Sequence, residues 1–302
     1  MSGVFDPRHV RQAFGRAAAG YADASALQRE VEDWLLESLM YLDEHVPATV
    51  VDLGSGPGRA AQAMRARWPR ARVLALDLAL PMLQAQAPRG RGLRAGLGLR
   101  RPVDRVCADA RALPLADDSV DLLFSNLCLQ WVDDLPAVFA GFRRVLRPGG
   151  LLLLSTFGEG TLAELREAFA EADERPHVSP FVGIAGLGDA LVQAGFRDPV
   201  LDREALRQDQ PDLPALMRAL RAMGATNALA ARRRTLTGRG RFARAARAYD
   251  ALRPAPGAPL PVTWEVLTAL AWAPEHGAPI REGDAEVARF PAHGIPVRRR
   301  AG

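Results

Sequence analysis

Residues 50–60 read VVDLGSGPGRA: a short apolar run closing on Asp52, glycines at 54, 56 and 58, then an amphipathic segment. An apolar run of this length suits a strand buried on both faces. Glycines at alternate positions permit a tight turn and let the backbone approach a ligand with no Cβ between them. A helix starting there presents free N–H groups to that ligand. A nicotinamide fingerprint needs G-x-G-x-x-G, but Arg59 stands in its third glycine position. The spacing is G-x-G-x-G, with an acid two residues upstream.

Outward from this loop, short apolar runs alternate with amphipathic ones. TVVDLG is followed by a helix from Arg59 to about Arg67, and RVLALD by a helix from about Leu80. VDRVCAD, SVDLLFSNL, a helix over 135–146 and LLLLSTF complete the alternation. Upstream, Val10, Phe14 and Ala17, then Leu27, Val31, Trp34, Leu35 and Leu39, predict helix over 8–42. Downstream come helices near 164–173 and 187–196, the second capped at Gly195, and a strand over PVLDREALRQ. A helix from Asp212 carries Leu213, Leu216, Met217, Leu220 and Met223; another lies in 226–253, before the strand VTWEVLTALAW. This pattern predicts an α/β fold: a Rossmann-like, seven-stranded, mostly parallel sheet with helices on both faces and an inserted helical lid. The segments expected are an N-terminal helical lid (1–45), a cofactor-binding core (46–160), the rest of the core with the inserted lid (161–274) and a flexible tail (275–302). The Gly/Arg-rich stretch 88–102 reads as a loop.

Composition narrows the function. The 302 residues are 48% apolar and 25% charged, with net charge +4, an ordinary globular balance. Every basic residue is arginine and lysine is absent, which discounts any single arginine as a signal. Cys107 and Cys128 lack CxxC spacing, so neither a disulfide framework nor a metal site is expected. With no leader pattern and no membrane-length apolar run, the expected location is the cytoplasm.

Polar residues close four successive strands. After the glycine loop, Asp77 ends the second strand, where a carboxylate can take both hydroxyls of a ribose. Asp109 and Ala110 end the third, where a carboxylate can accept the exocyclic amine of adenine. Ser125, Asn126 and Leu127 end the fourth. Each alone could be a solvated strand end; together they describe an adenosine site at a topological switch point.

DLGSGPG, LALD, ADARALPL, FSNLCLQW and VLRPGG resemble the ordered motifs of class I S-adenosylmethionine-dependent methyltransferases, with Ser55 and Pro57 replacing more frequent residues of the first motif. That resemblance implies S-adenosyl-L-methionine as cofactor, with Asp52, Gly54, Gly56, Gly58, Asp77, Asp109, Ala110 and Asn126 around it. Narrower motifs, Phe14…Tyr21…Gln28, STFGEGTLAELREAF and MGATNALAARRRTLTGRGRF, resemble the malonyl-[acyl-carrier protein] O-methyltransferase family over about 8–272. This second resemblance implies methylation of a malonyl thioester's free carboxylate at the start of pimeloyl assembly for biotin. Tyr21 would close over the cofactor, with Phe14 and Gln28 placing it. Another small-molecule methyltransferase of this class, or a respiratory-complex assembly factor of the same family, is the alternative.

No general base stands out, and an already ionised carboxylate would need none. Asp133 and Asp134 read as caps of the next helix, His177 as a satisfied histidine and Cys128 as a small apolar residue. A bound malonyl carboxylate favours a guanidinium; Arg143 and Arg144 are the candidates by position, and helix-surface charge is the competing reading. Residues 226–253 hold eight arginines and one acid, Asp250. Phe242, Ala245, Ala246, Tyr249 and Leu252 share one helical face, with Arg241, Arg244 and Arg247 opposite. No nucleic-acid motif accompanies them. The expected partner is an acidic acyl-carrier protein docking on that ridge; nucleic acid and membrane are not expected.

Overall fold

The computed structural model describes residues 3–42, 46–85, 102–232, 238–275, 280–282 and 285–287. The loop expected at 88–102 lies almost wholly outside them, as does much of the tail and the stretch 233–237. Seven strands form one sheet: β1 Thr49–Leu53, β2 Arg72–Asp77, β3 Asp104–Cys107, β4 Val120–Ser125, β5 Leu146–Phe157, β6 Arg197–Gln210 and β7 Leu260–Trp272. Their order is β3-β2-β1-β4-β5-β7-β6. β1 to β5 pair in parallel, and β7 runs antiparallel between β5 and β6, in agreement with the seven-stranded, mostly parallel sheet expected. The central strands are buried on both faces, whereas β3 and β6 hold only half-buried and exposed residues, as edge strands do. β8 (Ile280–Glu282) and β9 (Ala285–Val287) pair separately, within a stretch that reads in sequence as tail.

The helices are α1 Pro7–Ala17, α2 Tyr21–Ala24, α3 Ala26–Ser38, α4 Arg59–Arg67, α5 Leu80–Ala85, α6 Leu135–Val145, α7 Ala163–Ala170, α8 Ile184–Gln193, α9 Leu213–Ala222 and α10 Arg239–Asp250. Asp6, Asp134 and Asp212 begin three of them, each accepting backbone N–H groups of the first turn and each followed by proline at N1 or N2. The single helix expected over 8–42 is instead three, broken at Gly20 and Ser25, whose φ/ψ values are not helical. That break frees Tyr21 to turn toward the sheet.

Two apolar layers flank the sheet. Val51, Leu53, Leu123, Leu152 and Leu154 pack on Phe139 and Phe142 of α6 and on Leu187 and Leu191 of α8. Val50, Ala75, Leu122 and Phe124 pack on Ala61 and Met64 of α4 and on Leu35. A third cluster joins α3, α7, α9, α10 and β7 above the carboxyl ends of the strands. At its base Tyr249 is fully buried and its hydroxyl donates to Pro261 O at 2.7 Å.

Candidate active site

The chain runs outward from β1 through β2 to β3, then returns to β4 on the other side of β1. The loops leaving β1 and β4 therefore diverge and leave a crevice at the carboxyl ends of the strands. A cavity of about 100 Å³ lies there, lined by Tyr21, Gly54, Gly56, Asp77, Asp109, Ala110 and Asn126 among others. Gly54, Gly56 and Gly58 all have left-handed φ, at 70°, 51° and 75°. A Cβ on Gly54 would stand 2.5 Å from Cβ and Sγ of Cys128, and one on Gly56 would stand 3.6 Å from the Tyr21 ring. Gly58 is the N-cap of α4.

Asp77 accepts from Gly56 N at 2.9 Å and Ala79 N at 2.7 Å. Its burial raises its pKa, and those two N–H groups partly oppose the rise. Asp109 accepts from Arg111 Nη2 at 2.5 Å and Nε at 2.9 Å, and that guanidinium holds its carboxyl below the usual range. Arg111 also lines the cavity; sequence reading missed it because, two residues past Asp109, it looks like one more surface arginine. The Asn126 amide donates to Gln28 O at 2.9 Å and accepts from Ser155 Oγ at 2.8 Å, tying α3 to the end of β4. Leu127, next to it, is held at φ 44°. Burial raises the Tyr21 phenol's pKa, with Asp77 adding, so it stays neutral. Cys128 is pushed up to about 12, chiefly by burial.

Other predicted site residues lie elsewhere. Asp52 does not face the cavity; its side chain, 2% exposed, accepts from Ala61 N at 2.9 Å and braces the start of α4. Arg143 and Arg144 are at the opposite edge of the sheet. α6 carries the chain from the carboxyl end of β4 back to the amino end of β5, so its last turn abuts the start of β4, where Asp118 N donates to Arg144 O at 3.0 Å. The Arg144 guanidinium donates to Leu113 O, Leu115 O and Asp117, and Arg143 approaches Pro274 O at 3.5 Å. Neither can reach the crevice. Asp134 caps α6 as expected, but Asp133 instead accepts from Phe5 N at 2.9 Å. His177 stacks on Phe169 at 4.1 Å with Nε2 3.2 Å from Asp173, outside the crevice.

The N-terminal segment, which lines the crevice with Phe14 and Tyr21, is fastened to residues 228–232. Asp6 N donates to Ala228 O at 2.8 Å, Ala230 N to Val4 O at 2.7 Å, and Arg232 pairs with Asp6 at 3.1 Å. Phe14 packs edge-on against Trp131, ring centroids 5.5 Å apart, and fills the space that a Cβ at Gly224 would need. The described residues fit an adenosine-bearing cofactor. Left-handed Gly54 and Gly56 and the carboxylates just past β2 and β3 line the crevice, and the buried Ser55 hydroxyl between those glycines has no partner among the described residues. No group of residues able to hold a metal occurs among the described residues.

This sheet order and crevice are those of a Rossmann-like methyltransferase. Residues 51–154 match the family model described as a methyltransferase domain. The same fold is seen in the YcgJ protein of Bacillus subtilis, with TM-score 0.55 at 14% identity, covering 80% of this chain and 99% of that one. It is also seen in phosphoethanolamine N-methyltransferase 2 of Haemonchus contortus, with TM-score 0.51 at 19% identity, covering 80% and 53%. Among curated relatives, the malonyl-[acyl-carrier protein] O-methyltransferase of Xylella fastidiosa (strain M23) is 55% identical over 99% of both chains. That of Laribacter hongkongensis is 47% identical over 89% of this chain and 90% of its own. The chain belongs to the malonyl-[acyl-carrier protein] O-methyltransferase family.

Proposed function

We propose that the protein methylates the free carboxylate of a malonyl group carried as a thioester on an acyl-carrier protein, with S-adenosyl-L-methionine as methyl donor. The observation carrying this reading is full-length similarity to relatives so named, combined with an adenosine-type crevice closed by the lid segments. When bound, the cofactor supplies a methyl carbon on a sulfonium; a carboxylate oxygen bonds to that carbon while the carbon–sulfur pair departs with sulfur. The chain's task is alignment and exclusion of water. Asp77 and Asp109 would take the ribose and adenine, Gly54 and Gly56 leave room for the backbone approach, and Tyr21 covers the loop as a neutral phenol. A carboxylate is ionised at neutral pH, so no general base is required. The ester product hides a charge that apolar pockets disfavour, in keeping with a role in starting pimeloyl assembly for biotin.

The carrier is an acidic protein, and α10 offers a surface of the opposite sign. Ala245 and Tyr249 are buried in the body, while Arg244 and Arg247 are exposed and Arg241 is half-buried. Arg244 donates to Ala172 O at 3.1 Å, and among the described residues neither Arg241 nor Arg247 meets a carboxylate. Incubation with labelled cofactor and malonyl-carrier protein tests the reaction: a labelled, base-labile ester on the carrier is expected, and its absence beside an active relative overturns the reading. Reversing the three charges should weaken carrier affinity at low salt while S-adenosylhomocysteine binding holds. Unchanged carrier affinity overturns the docking surface alone.

A further inference from the structure

Among the described residues, four buried polar side-chain atoms besides Ser55 Oγ have no partner: Gln28 Oε1, Gln130 Oε1, Trp131 Nε1 and Thr226 Oγ1. Unpaired buried polar atoms are rare, and each costs roughly 1–3 kcal/mol. Four in one neighbourhood call for a common cause. They sit on a closed circuit of contacts. Gln28 O accepts from Asn126, and Leu127 O, one residue on, accepts from Gln130 Nε2 at 2.6 Å. Trp131 follows, packed on Phe14, which is packed on Gly224. Met223 returns the circuit through its sulfur, 3.5 Å from Gln28 Nε2, and Thr226 N donates to Gly224 O at 2.9 Å. Trp131 and Asn126 both line the cofactor cavity, so this ring meets the crevice at those two residues.

The orphan atoms differ in kind. Trp131 Nε1 can only donate, and the Thr226 hydroxyl can donate. The Gln28 amide is fixed only by a weak contact to sulfur, so a half-turn presents its NH₂ instead of its oxygen. Gln130 has its nitrogen committed to Leu127 O, so its oxygen is left to accept from a ligand N–H or a water. Arg143 and Arg144 are at the far edge of the sheet, and Arg111 is held by Asp109.

We infer that Trp131, Thr226 and Gln28 form a neutral-donor cradle for the acceptor's carboxylate, and that this cradle selects a malonyl over an uncharged acyl group. The physical logic favours neutral donors. A carboxylate leaving water needs its lone pairs satisfied, and neutral donors can do so where no free guanidinium is placed among the described residues of the crevice. The opposite charge is already present on the cofactor's sulfonium.

The cradle rests on the malonyl-carrier reading, and the test separates the two. Affinities of malonyl-carrier and acetyl-carrier are measured with S-adenosylhomocysteine bound, since both carriers share the docking surface and differ in the carboxylate. Thr226→Val and Trp131→Phe are each expected to lower the malonyl-over-acetyl preference by about 10–100-fold, the worth of one hydrogen bond to a charged group. In Thr226→Val, acetyl-carrier and S-adenosylhomocysteine affinities should stay within about twofold of wild type. Thr226→Ser keeps the hydroxyl and should keep the preference, which guards against a packing effect at that site. A preference unchanged in both Thr226→Val and Trp131→Phe overturns the cradle, as does its loss in Thr226→Ser. Wild-type protein that forms no ester on malonyl-carrier overturns the reaction itself, and the cradle with it.

Discussion

Replacing Gly54 by alanine tests how the nucleotide loop is built. The backbone there has φ 70°, which costs an L-residue about 1–2 kcal/mol. The added methyl would also stand 2.5 Å from both Cβ and Sγ of Cys128, more than an ångström inside the usual carbon contact of about 3.5–4.0 Å. Overpacking of that kind costs about 1–3 kcal/mol, so Gly54→Ala should destabilise the protein by about 2–5 kcal/mol. Gly56 supplies the control. Its φ is 51°, yet the nearest atom to an added Cβ is Tyr21 Cε1 at 3.6 Å, an ordinary contact. Gly56→Ala should therefore carry only the backbone cost of about 1–2 kcal/mol. Cys128→Gly removes both atoms in the way, at a position with ordinary φ −111° and ψ −40°. Urea unfolding of the two single variants and the double variant should give a coupling of about 1–3 kcal/mol between Gly54→Ala and Cys128→Gly. Equal destabilisation by Gly54→Ala and Gly56→Ala, or a coupling near zero, would refute the packing argument.

Asp52→Asn should flatten part of the pH dependence of stability. Burial holds the Asp52 pKa well above its ordinary value, so the folded state keeps a proton the unfolded chain gives up, and stability falls as pH rises from about 4 toward the folded pKa. Urea unfolding across this range should show the variant gaining on wild type as pH rises; a constant offset at every pH would refute it. Arg144→Ala removes donors from two carbonyls and Asp117, and should cost about 1–2 kcal/mol of stability without changing KM for the carrier. A rise in that KM would return Arg144 to the site. Tyr249→Phe leaves Pro261 O without its phenolic donor and should cost about 1–3 kcal/mol, read by thermal unfolding; no loss would mean that α10 is held by its apolar face alone.

Much of this molecule was legible locally. Buried apolar runs announced the central strands, Asp134 and Asp212 announced two helix starts, and glycine spacing with strand-end acids pointed to the crevice, because each depends on residues close in the chain. Side chains alternate faces along a strand, so Asp52 shares the face of Val50, against Ala61 on α4, while Leu53 lines the cavity. Arg143 and Arg144 sit away from the crevice because a crossover helix ends at the amino edge of the sheet. Only the tertiary structure joined Gln28 to Met223, Phe14 to Gly224 and Asp6 to Arg232. Those pairs lie about two hundred residues apart, where no local periodicity couples them, and they depend on how the N-terminal helices pack against the segment 223–232.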